Sequence, residues 1–179
     1  CGISAKQLDR ELGVTYKPAW RIAKAIRNEL MEQTDELLGG TVELDETYMG
    51  GKAKNMHRAR RERLGAGRGT VGKTPVFGML ERQGNVVAVT VPNISRVTLM
   101  PHIQERVIAT STIYTDEMSS YDPLGRQGYN HGRVNHSAKV YVSGDVHVNT
   151  IEGFWSLVKR GIDGVYHSVS AKHLQGYLN

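Results

Sequence analysis

The sequence predicts an α/β protein in which a short helical segment precedes a domain built of strands and helices. The apolar pattern is helical over residues 4–33, alternates as in a strand after Gly39-Gly40, and is helical again over residues 148–160. The 179 residues are 39% hydrophobic and 23% charged, which is typical of a folded domain. No apolar run reaches the ~18–20 residues that a membrane-spanning helix needs, so we expect no membrane partner.

Residues 4–33 predict two helices joined by a tight turn. Ser4 is placed to cap the first helix, Gly13 to make the turn, Thr15 to cap the second helix and Pro18 to lie in its first turn. We expect one buried apolar face, formed by Ala5, Leu8, Leu12, Val14, Ala19, Ile22, Ala23, Ile26 and Leu30. The spacing favours a helix-turn-helix over residues 1–38, although a plain helical hairpin stays open. In a helix-turn-helix, the DNA-facing residues of the second helix would be Lys17, Arg21, Lys24 and Arg27.

The rest of the chain predicts sheet and helix in a definite order. Three strands come first, with the second and third joined as a hairpin at Gln83-Gly84. A helix, a strand, an irregular segment, a strand and a final helix follow. The predicted elements are at residues 41–49, 74–82, 85–92, 97–108, 111–116, 119–136 (irregular), 138–144 and 148–160.

Positive charge is concentrated in one glycine-rich segment. The chain has a formal net charge of +5, and residues 51–75 contain many lysines and arginines but a single acidic residue, Glu62. We expect a long mobile loop, which is either a solvated linker or a contact to DNA phosphates. Its glycine spacing does not match a nucleotide-binding phosphate loop. The basic residues are Lys52, Lys54, Arg58, Arg60, Arg61, Arg63, Arg68 and Lys73.

Three acidic residues stand in or at the ends of predicted core elements. Asp45 lies in the first strand, Asp116 ends another strand and Glu152 lies in the last helix. A carboxylate in such a position is costly to bury unless it is paired or binds a metal ion. One such residue is more often a cap, but three that could converge favour a site. We interpret the other nearby acidic residues as incidental, namely Glu43, Glu46 and Glu117.

The last helix has two distinct faces. Successive residues are about 100° apart around a helix, which puts the polar residues Asn149, Glu152, Ser156 and Lys159 on one side. The opposite side is apolar and would pack on the sheet, through Ile151, Phe154, Trp155 and Val158. His147 precedes this helix, and we consider it a contact to a metal-binding residue or to a substrate phosphate.

Four segments together resemble the DDE transposases of bacterial insertion sequences, and more narrowly the ISXO-like group. They are V-E-L-D-E-T-Y-M-G-G-K, G-R-G-T-V-G-K-T-P-V-F-G-M, Y-T-D-E-M-S-S-Y and H-V-N-T-I-E-G-F-W-S-L-V-K-R-G. The resemblance implies that residues 39–179 form a ribonuclease-H-like catalytic domain with a five-stranded mixed sheet. It also implies a zinc ribbon before the helix-turn-helix. The single Cys1 cannot form that zinc site, so we expect it in an upstream segment and regard the sequence as cut at both ends.

The resemblance implies a site and a reaction. Asp45, Asp116 and Glu152 would be the catalytic acids and the ligands of two Mg²⁺ or Mn²⁺ ions, with Asn149 as a further or alternative ligand, and Lys159 would contact DNA. In our hypothesis Asp45 bridges both ions. Water would first cleave the DNA at the ends of the element, and the freed 3′-hydroxyl would then attack target DNA.

The expected partners are transposon ends, target DNA and further copies of the same chain, since two DNA ends must be held together. The single cysteine excludes an internal disulfide and favours the bacterial cytoplasm, with activity at the nucleoid. The alternatives are a non-enzymatic helix-turn-helix regulator, a ribonuclease-H-like nuclease without transposition, and an inactive descendant that keeps the fold.

Overall fold

The computed structural model of the protein describes residues 3–30, 36–51, 55–65, 69–134, 146–167 and 169–178, and for Arg60 the backbone alone. The elements run in the order α1 (Ala5–Leu12), α2 (Tyr16–Ala25), β1 (Thr41–Met49), α3 (Arg58–Arg63), β2 (Thr74–Glu81), β3 (Val86–Thr90), α4 (Arg96–Arg106), β4 (Thr112–Thr115), β5 (Asn130–Arg133), α5 (Asn149–Gly161) and α6 (Ala171–Leu174). Short π segments follow α2 and α5 at Ile26–Leu30 and Ile162–Tyr166. Single 3₁₀ turns occur at Ser119–Tyr121, Leu124–Gln127 and Gln175–Tyr177.

The chain divides into two compact units. The sheet unit comprises Thr34–Met49 and Thr74–Trp155, and the terminal unit comprises Cys1–Gln33, Gly50–Lys73 and Ser156–Asn179. The predicted boundary between a helix-turn-helix segment (1–38) and a catalytic domain (39–179) stays a prediction.

The sheet unit contains a five-stranded mixed sheet in the order β3-β2-β1-β4-β5. β2 is antiparallel to both of its neighbours, while β1, β4 and β5 are parallel to one another. This order, with helices on the sheet, is the ribonuclease-H-like arrangement and confirms the predicted fold class. β1 is central because it pairs with β2 on one side and with β4 on the other.

A helix packs on each face of the sheet. Because side chains alternate along a strand, β1 directs Val42 and Leu44 into a core that also contains Leu99 and Ile103 of α4. On the other face, Ile151 and Trp155 of α5 lie against Gly78 of β2. This packing confirms the predicted apolar side of the last helix.

The fifth strand is not where the sequence pattern predicts it. Asn130–Arg133 forms β5, inside the stretch predicted to be irregular, and pairs with β4 from Thr112 to Thr115. The sequence N-H-G-R has no alternation of apolar residues. β5 lies at the edge of the sheet, where its residues are exposed or half-buried and need not be apolar. The predicted strand at 138–144 lies outside the described residues.

The terminal unit contains the predicted pair of helices. The Ser4 hydroxyl accepts a hydrogen bond from the backbone N–H of Gln7, and Gly13 ends α1 in the left-handed region at φ 63°. Thr15 precedes α2, but its side chain makes no capping bond. Asp9 is buried and pairs with Lys6, which satisfies its charge.

The buried face of these helices is narrower than predicted. Ala19 and Ala23 are buried, whereas the larger apolar residues that we expected beside them are exposed by 38–72%. The small alanines therefore form the inner stripe of α2. The exposed residues are Leu12, Val14, Ile22, Ile26 and Leu30.

The basic segment 51–75 is more regular than the predicted loop. It contains the helix α3, in which Arg58 pairs with Glu62 one turn later at 2.8 Å. The sequence R-A-R-R-E-R consists of good helix formers, and the surrounding glycines obscure that signal. Residues 52–54 and 66–68 lie outside the description. Among the described residues, no helix is long and apolar enough to cross a membrane.

Candidate active site

Asp45 and Asp116 are brought together by the parallel pairing of β1 with β4. The register sets Glu43 beside Tyr114, so Asp45 and Asp116, each two residues further on, lie at the same level. β4 ends at Thr115, and the chain turns there because the Asp116 carboxylate accepts the backbone N–H of Met118 at 3.0 Å. Asp116 is therefore held at the carboxyl end of a strand, beside the continuing β1.

Glu46 completes a cluster with these two aspartates. One carboxylate oxygen from each of Asp45, Glu46 and Asp116 lies within 4.8 Å of the others, and all three side chains are half-buried. The Tyr121 hydroxyl donates a hydrogen bond to Glu46 from the α4 side of the sheet. Carboxylate oxygens at this spacing form a donor set that suits Mg²⁺ or Mn²⁺.

The cluster is electrostatically unfavourable without a cation. Burial raises the pKa of Glu46 from 4.5 to about 9, and the charges of Asp116 and Asp45 add to the rise. Burial likewise raises the pKa of Asp45 from 3.8 to about 6, with further contributions from Asp116 and Glu152. A bound cation would reverse both effects, since it favours the charged forms.

Glu152 lies near this cluster but is not one of its members. It is exposed in the first turn of α5 and is close enough to raise the pKa of Asp45. Among the described residues, the set of carboxylates within 4.8 Å contains Glu46 instead. Asn149, one helical turn earlier, is also exposed, and so are Ser156 and Lys159, as the predicted polar face requires.

Trp155 of α5 packs beside Asp45. Its ring is buried, and its indole Nε1 has no hydrogen-bond partner of normal geometry among the described residues. The Nε1–H group nevertheless partly offsets the rise in the Asp45 pKa. The apolar face of α5 thus supplies part of the low-dielectric surroundings of the cluster.

Glu43 forms a second polar centre on the same face of β1 as Asp45. It is fully buried and accepts hydrogen bonds from Arg82 Nε at 2.7 Å, Thr150 Oγ1 at 2.8 Å and the backbone N–H of Ile151 at 3.0 Å. Our interpretation of Glu43 and Glu46 as incidental acids is therefore wrong. Both side chains have defined surroundings: Glu43 is hydrogen-bonded to Arg82 and to the first turn of α5, and Glu46 belongs to the acidic cluster.

His147 is directed at Glu43. Its Nδ1 lies 3.4 Å from Glu43 Oε1, and its backbone carbonyl accepts a hydrogen bond from Arg82. We predicted a contact to a metal-binding residue or to a substrate phosphate. In the structure Nδ1 makes no hydrogen bond of normal geometry among the described residues, and both of these contacts lie at the polar centre around Glu43.

The predicted DNA-contacting residues are mostly exposed. Lys17, Arg21 and Lys24 of α2 face solvent, with the Lys24 ammonium 5.6 Å from the centre of the Trp20 ring. Arg27 is half-buried, and its guanidinium stacks 4.2 Å from the centre of the Tyr177 ring. In the basic segment Arg58 and Arg61 are exposed and Lys73 is half-buried. Arg68 and the side chain of Arg60 lie outside the description.

Comparison with known families agrees with this arrangement. The ISXO2-like transposase domain matches residues 37–179, which is most of the chain. The chain belongs to the ISXO2-like transposase family. That family assignment confirms the resemblance seen in the sequence motifs, and the match includes Asp45, Asp116 and Glu152.

Two curated relatives carry names of the same kind. A protein in the transposable element ISH50 of Halobacterium salinarum is 34% identical over 185 residues, which cover 98% of this chain and 62% of that protein. A transposase-like protein of Haemophilus influenzae is 36% identical over 93 residues, covering 52% of this chain and 74% of that protein. The transposase chain described here thus spans about three fifths of the length of the Halobacterium relative.

Among solved structures, a chain of the simian T-cell lymphotropic virus intasome in complex with PP2A regulatory subunit B56 gamma superposes with a TM-score of 0.43. The identity is 14%, and the match covers 94% of this chain and 61% of that chain. The ribonuclease-H-like assignment of this ISXO2-like transposase rests on its own strand order and strand directions.

Proposed function

We propose that this chain carries the catalytic domain of a transposase that cleaves DNA at the ends of an insertion sequence and joins the freed ends to target DNA. The observation that carries the proposal is the convergence of Asp45 and Asp116, 71 positions apart in the sequence, to within 4.8 Å at the central strand of a ribonuclease-H-like sheet. The membership in the ISXO2-like family supports the same reaction class.

The carboxylates fit divalent cations, and the raised pKa values of Asp45 and Glu46 are an additional reason to expect them. Asp45 and Asp116 would hold the cations, and Glu152 would approach from α5, with Asn149 as its alternative. When bound, two Mg²⁺ or Mn²⁺ ions would activate the attacking oxygen and stabilise the charge that develops at phosphorus.

The protein side chains would contribute by position and charge. Asp45 lies on β1 and Asp116 directly follows the adjacent parallel strand β4, so the pairing of the two strands sets their spacing. Trp155 and the buried part of the sheet would exclude water from one side of the cluster. The same residues would serve both cleavage by water and attack by a 3′-hydroxyl, since each reaction is a displacement at phosphorus.

DNA would be held by basic side chains. Lys159 lies two turns after Glu152 on the polar face of α5, and Lys17, Arg21 and Lys24 face solvent on α2. Together with Arg58, Arg60, Arg61, Arg68 and Lys73 they would neutralise phosphates, which predicts a steep salt dependence of DNA binding. The protein would act at the nucleoid in the cytoplasm, as an oligomer when it holds two ends.

The test is DNA cleavage by the full-length transposase that contains this chain, on DNA carrying the element's own ends. Asp116→Asn should abolish cleavage in Mg²⁺ while DNA binding and the folded state are kept, and EDTA should abolish it in the wild type. Asp122→Asn is the matched control, because Asp122 is an exposed aspartate that pairs with Arg133 outside the cluster. Cleavage by Asp116→Asn at the wild-type rate would overturn the proposal.

The same experiment separates the alternatives. DNA binding without cleavage in the wild type would favour a non-enzymatic regulator with a helix-turn-helix. Cleavage without joined products, when target DNA is present, would favour a nuclease. The proposed transposase predicts both cleaved and joined products, and loss of both in Asp116→Asn.

A further inference from the structure

Glu43 is a fully buried acid in the middle of the central strand. It lies two residues before Asp45, so both side chains are on the face of β1 that α5 covers. A buried carboxylate is costly unless hydrogen bonds and an opposite charge compensate for it. The structure supplies both, and the groups that do so come from elements far apart in the sequence.

Two of these groups belong to the first turn of α5. The Thr150 hydroxyl and the backbone N–H of Ile151 both donate to Glu43, one to each carboxylate oxygen. The first N–H groups of a helix have no partner inside the helix, and they attract negative charge. Glu43 therefore caps α5 from the neighbouring strand.

Arg82 connects Glu43 to the segment that leads into the helix. It pairs with Glu43 at 2.7 Å and donates to the backbone carbonyl of His147 at 3.0 Å. Its guanidinium also stacks on the Tyr114 ring of β4 at 4.8 Å. One ion pair thus ties together β1, the end of β2, β4 and the residues just before α5.

We propose that Glu43 is a positioning residue of the active site, which fixes the first turn of α5, and with it Asn149 and Glu152, relative to Asp45. The inference rests on the proposed function, since it concerns the geometry of the same acidic site. Asn149 and Glu152 flank the two residues that Glu43 holds. A small rotation of this turn would carry Glu152 away from the cluster.

The chemistry requires a carboxylate at position 43. Its two oxygens accept three hydrogen bonds from three donors, and each oxygen takes at least one. In Glu43→Gln one oxygen becomes an NH₂ group, which would face either Arg82 and Thr150 or the N–H of Ile151. A donor would then face a donor, and the first turn of α5 would have to shift.

The test measures Mn²⁺ binding by calorimetry on the metal-free protein, together with DNA cleavage as a function of Mn²⁺ concentration. We expect Glu43→Gln to weaken Mn²⁺ binding and to raise the Mn²⁺ concentration for half-maximal cleavage, each by about tenfold. Thr150→Val, a milder variant that removes one donor and keeps the shape, should change both in the same direction by less.

Two controls separate positioning from a general loss of stability. Ile103→Ala destabilises the core under the opposite face of the sheet and should leave Mn²⁺ affinity unchanged. If Glu43 acts through Asn149 and Glu152, its effect on Mn²⁺ affinity should disappear in a background that carries both Asn149→Ala and Glu152→Gln.

The outcomes distinguish this inference from the proposed function. If Asp116→Asn abolishes Mn²⁺ binding and cleavage, but Glu43→Gln binds Mn²⁺ as tightly as the wild type, the positioning role is wrong and the function stands. An equal effect of Glu43→Gln in the wild type and in the background that lacks both Asn149 and Glu152 would also overturn the positioning role. Cleavage by Asp116→Asn would overturn the function itself.

Discussion

Gly78 is paired with Asp45 across β1 and β2, and the space where a side chain would lie is filled by the indole ring of Trp155. A Cβ atom at residue 78 would lie 2.8 Å from Trp155 Cη2, still closer to Cζ2, and 3.1 Å from Ile151 Cδ1. The absence of a side chain at residue 78 therefore allows α5 to approach the sheet directly beside the acidic cluster.

Gly78→Ala should destabilise the protein because both contacts are with buried side chains that have little room to move. Overpacking of this kind costs about 1–3 kcal/mol in free energy of unfolding. Chemical denaturation measures the change. Since α5 carries Glu152, the same variant should also weaken Mn²⁺ binding.

Gly153→Ala is the matched control on the same helix. Apart from the neighbouring residues and the backbone of α5 itself, no atom of the described residues lies within 4 Å of the position of its Cβ, and alanine is the better helix former. We expect a gain of about 0.5–1 kcal/mol in free energy of unfolding. Equal effects of the two substitutions would contradict the packing argument.

The raised pKa of Glu46 should be visible in the pH dependence of the free energy of unfolding, measured without metal. Its pKa is raised from 4.5 to about 9, so the folded protein retains a proton that the unfolded chain releases. The contribution of Glu46 to stability is then greatest below pH 4.5 and is lost as the pH rises towards 9. Asp45 acts in the same direction only up to about pH 6. Between pH 7 and 9, in EDTA, we expect the free energy of unfolding to decrease.

Glu46→Gln should flatten this decrease because glutamine mimics the protonated side chain. Glu105→Gln is the charge control, since Glu105 is an exposed acid of α4 and its replacement leaves the three clustered carboxyls in place. Urea denaturation at several pH values measures both variants. A slope in Glu46→Gln as steep as that of the wild type would refute the assignment.

His131 should produce the opposite slope at lower pH. Burial lowers its pKa from 6.5 to about 4, helped by the charge of Arg133, and its Nε2 lies 2.8 Å from Thr115 Oγ1. The unfolded chain therefore binds a proton that the folded protein does not. Stability from this residue is present above pH 6.5 and is lost as the pH falls towards 4.

His131→Gln isolates that contribution. We expect the difference in free energy of unfolding between wild type and variant to shrink as the pH is lowered from 6.5 to 4. Circular dichroism during urea titration at each pH measures it. A difference that is constant over this range would show that His131 titrates normally in the folded protein.

The strands, the last helix and the two aspartates could be predicted from local patterns, whereas the ribonuclease-H-like fold is implied by the resemblance of four segments to a known family. Alternation and helical periodicity identify β1 to β4 and α5, and Asp45 and Asp116 stand out in or next to apolar strands. Glu46 escapes detection because adjacent residues on a strand point to opposite faces. Glu46 joins the cluster because β4 ends beside it. The position of that end follows from the pairing of β1 with β4, which the sequence pattern does not show.

Glu43 and β5 were missed for related reasons. An acid in an apolar strand is a signal, but the donors that compensate Glu43 come from residues 82, 150 and 151, and no local pattern joins them. β5 is a short edge strand with the sequence N-H-G-R. It is held in the sheet by its pairing with β4 and not by the burial of apolar side chains. Both depend on tertiary contacts rather than on periodicity.

Divalent cations should stabilise the sheet unit, since they bind the folded cluster and relieve the repulsion among its carboxylates. At a free Mn²⁺ concentration of about 100 times the dissociation constant, one site adds about 2.7 kcal/mol to the free energy of unfolding. Thermal unfolding followed by the fluorescence of Trp155, in a Trp20→Phe background, measures the shift in Tm. Asp45→Asn should remove most of this shift, whereas Asp122→Asn should keep it, because Asp122 pairs with Arg133 away from the cluster. A Mn²⁺-dependent shift of wild-type size in Asp45→Asn would mean that the cation binds elsewhere.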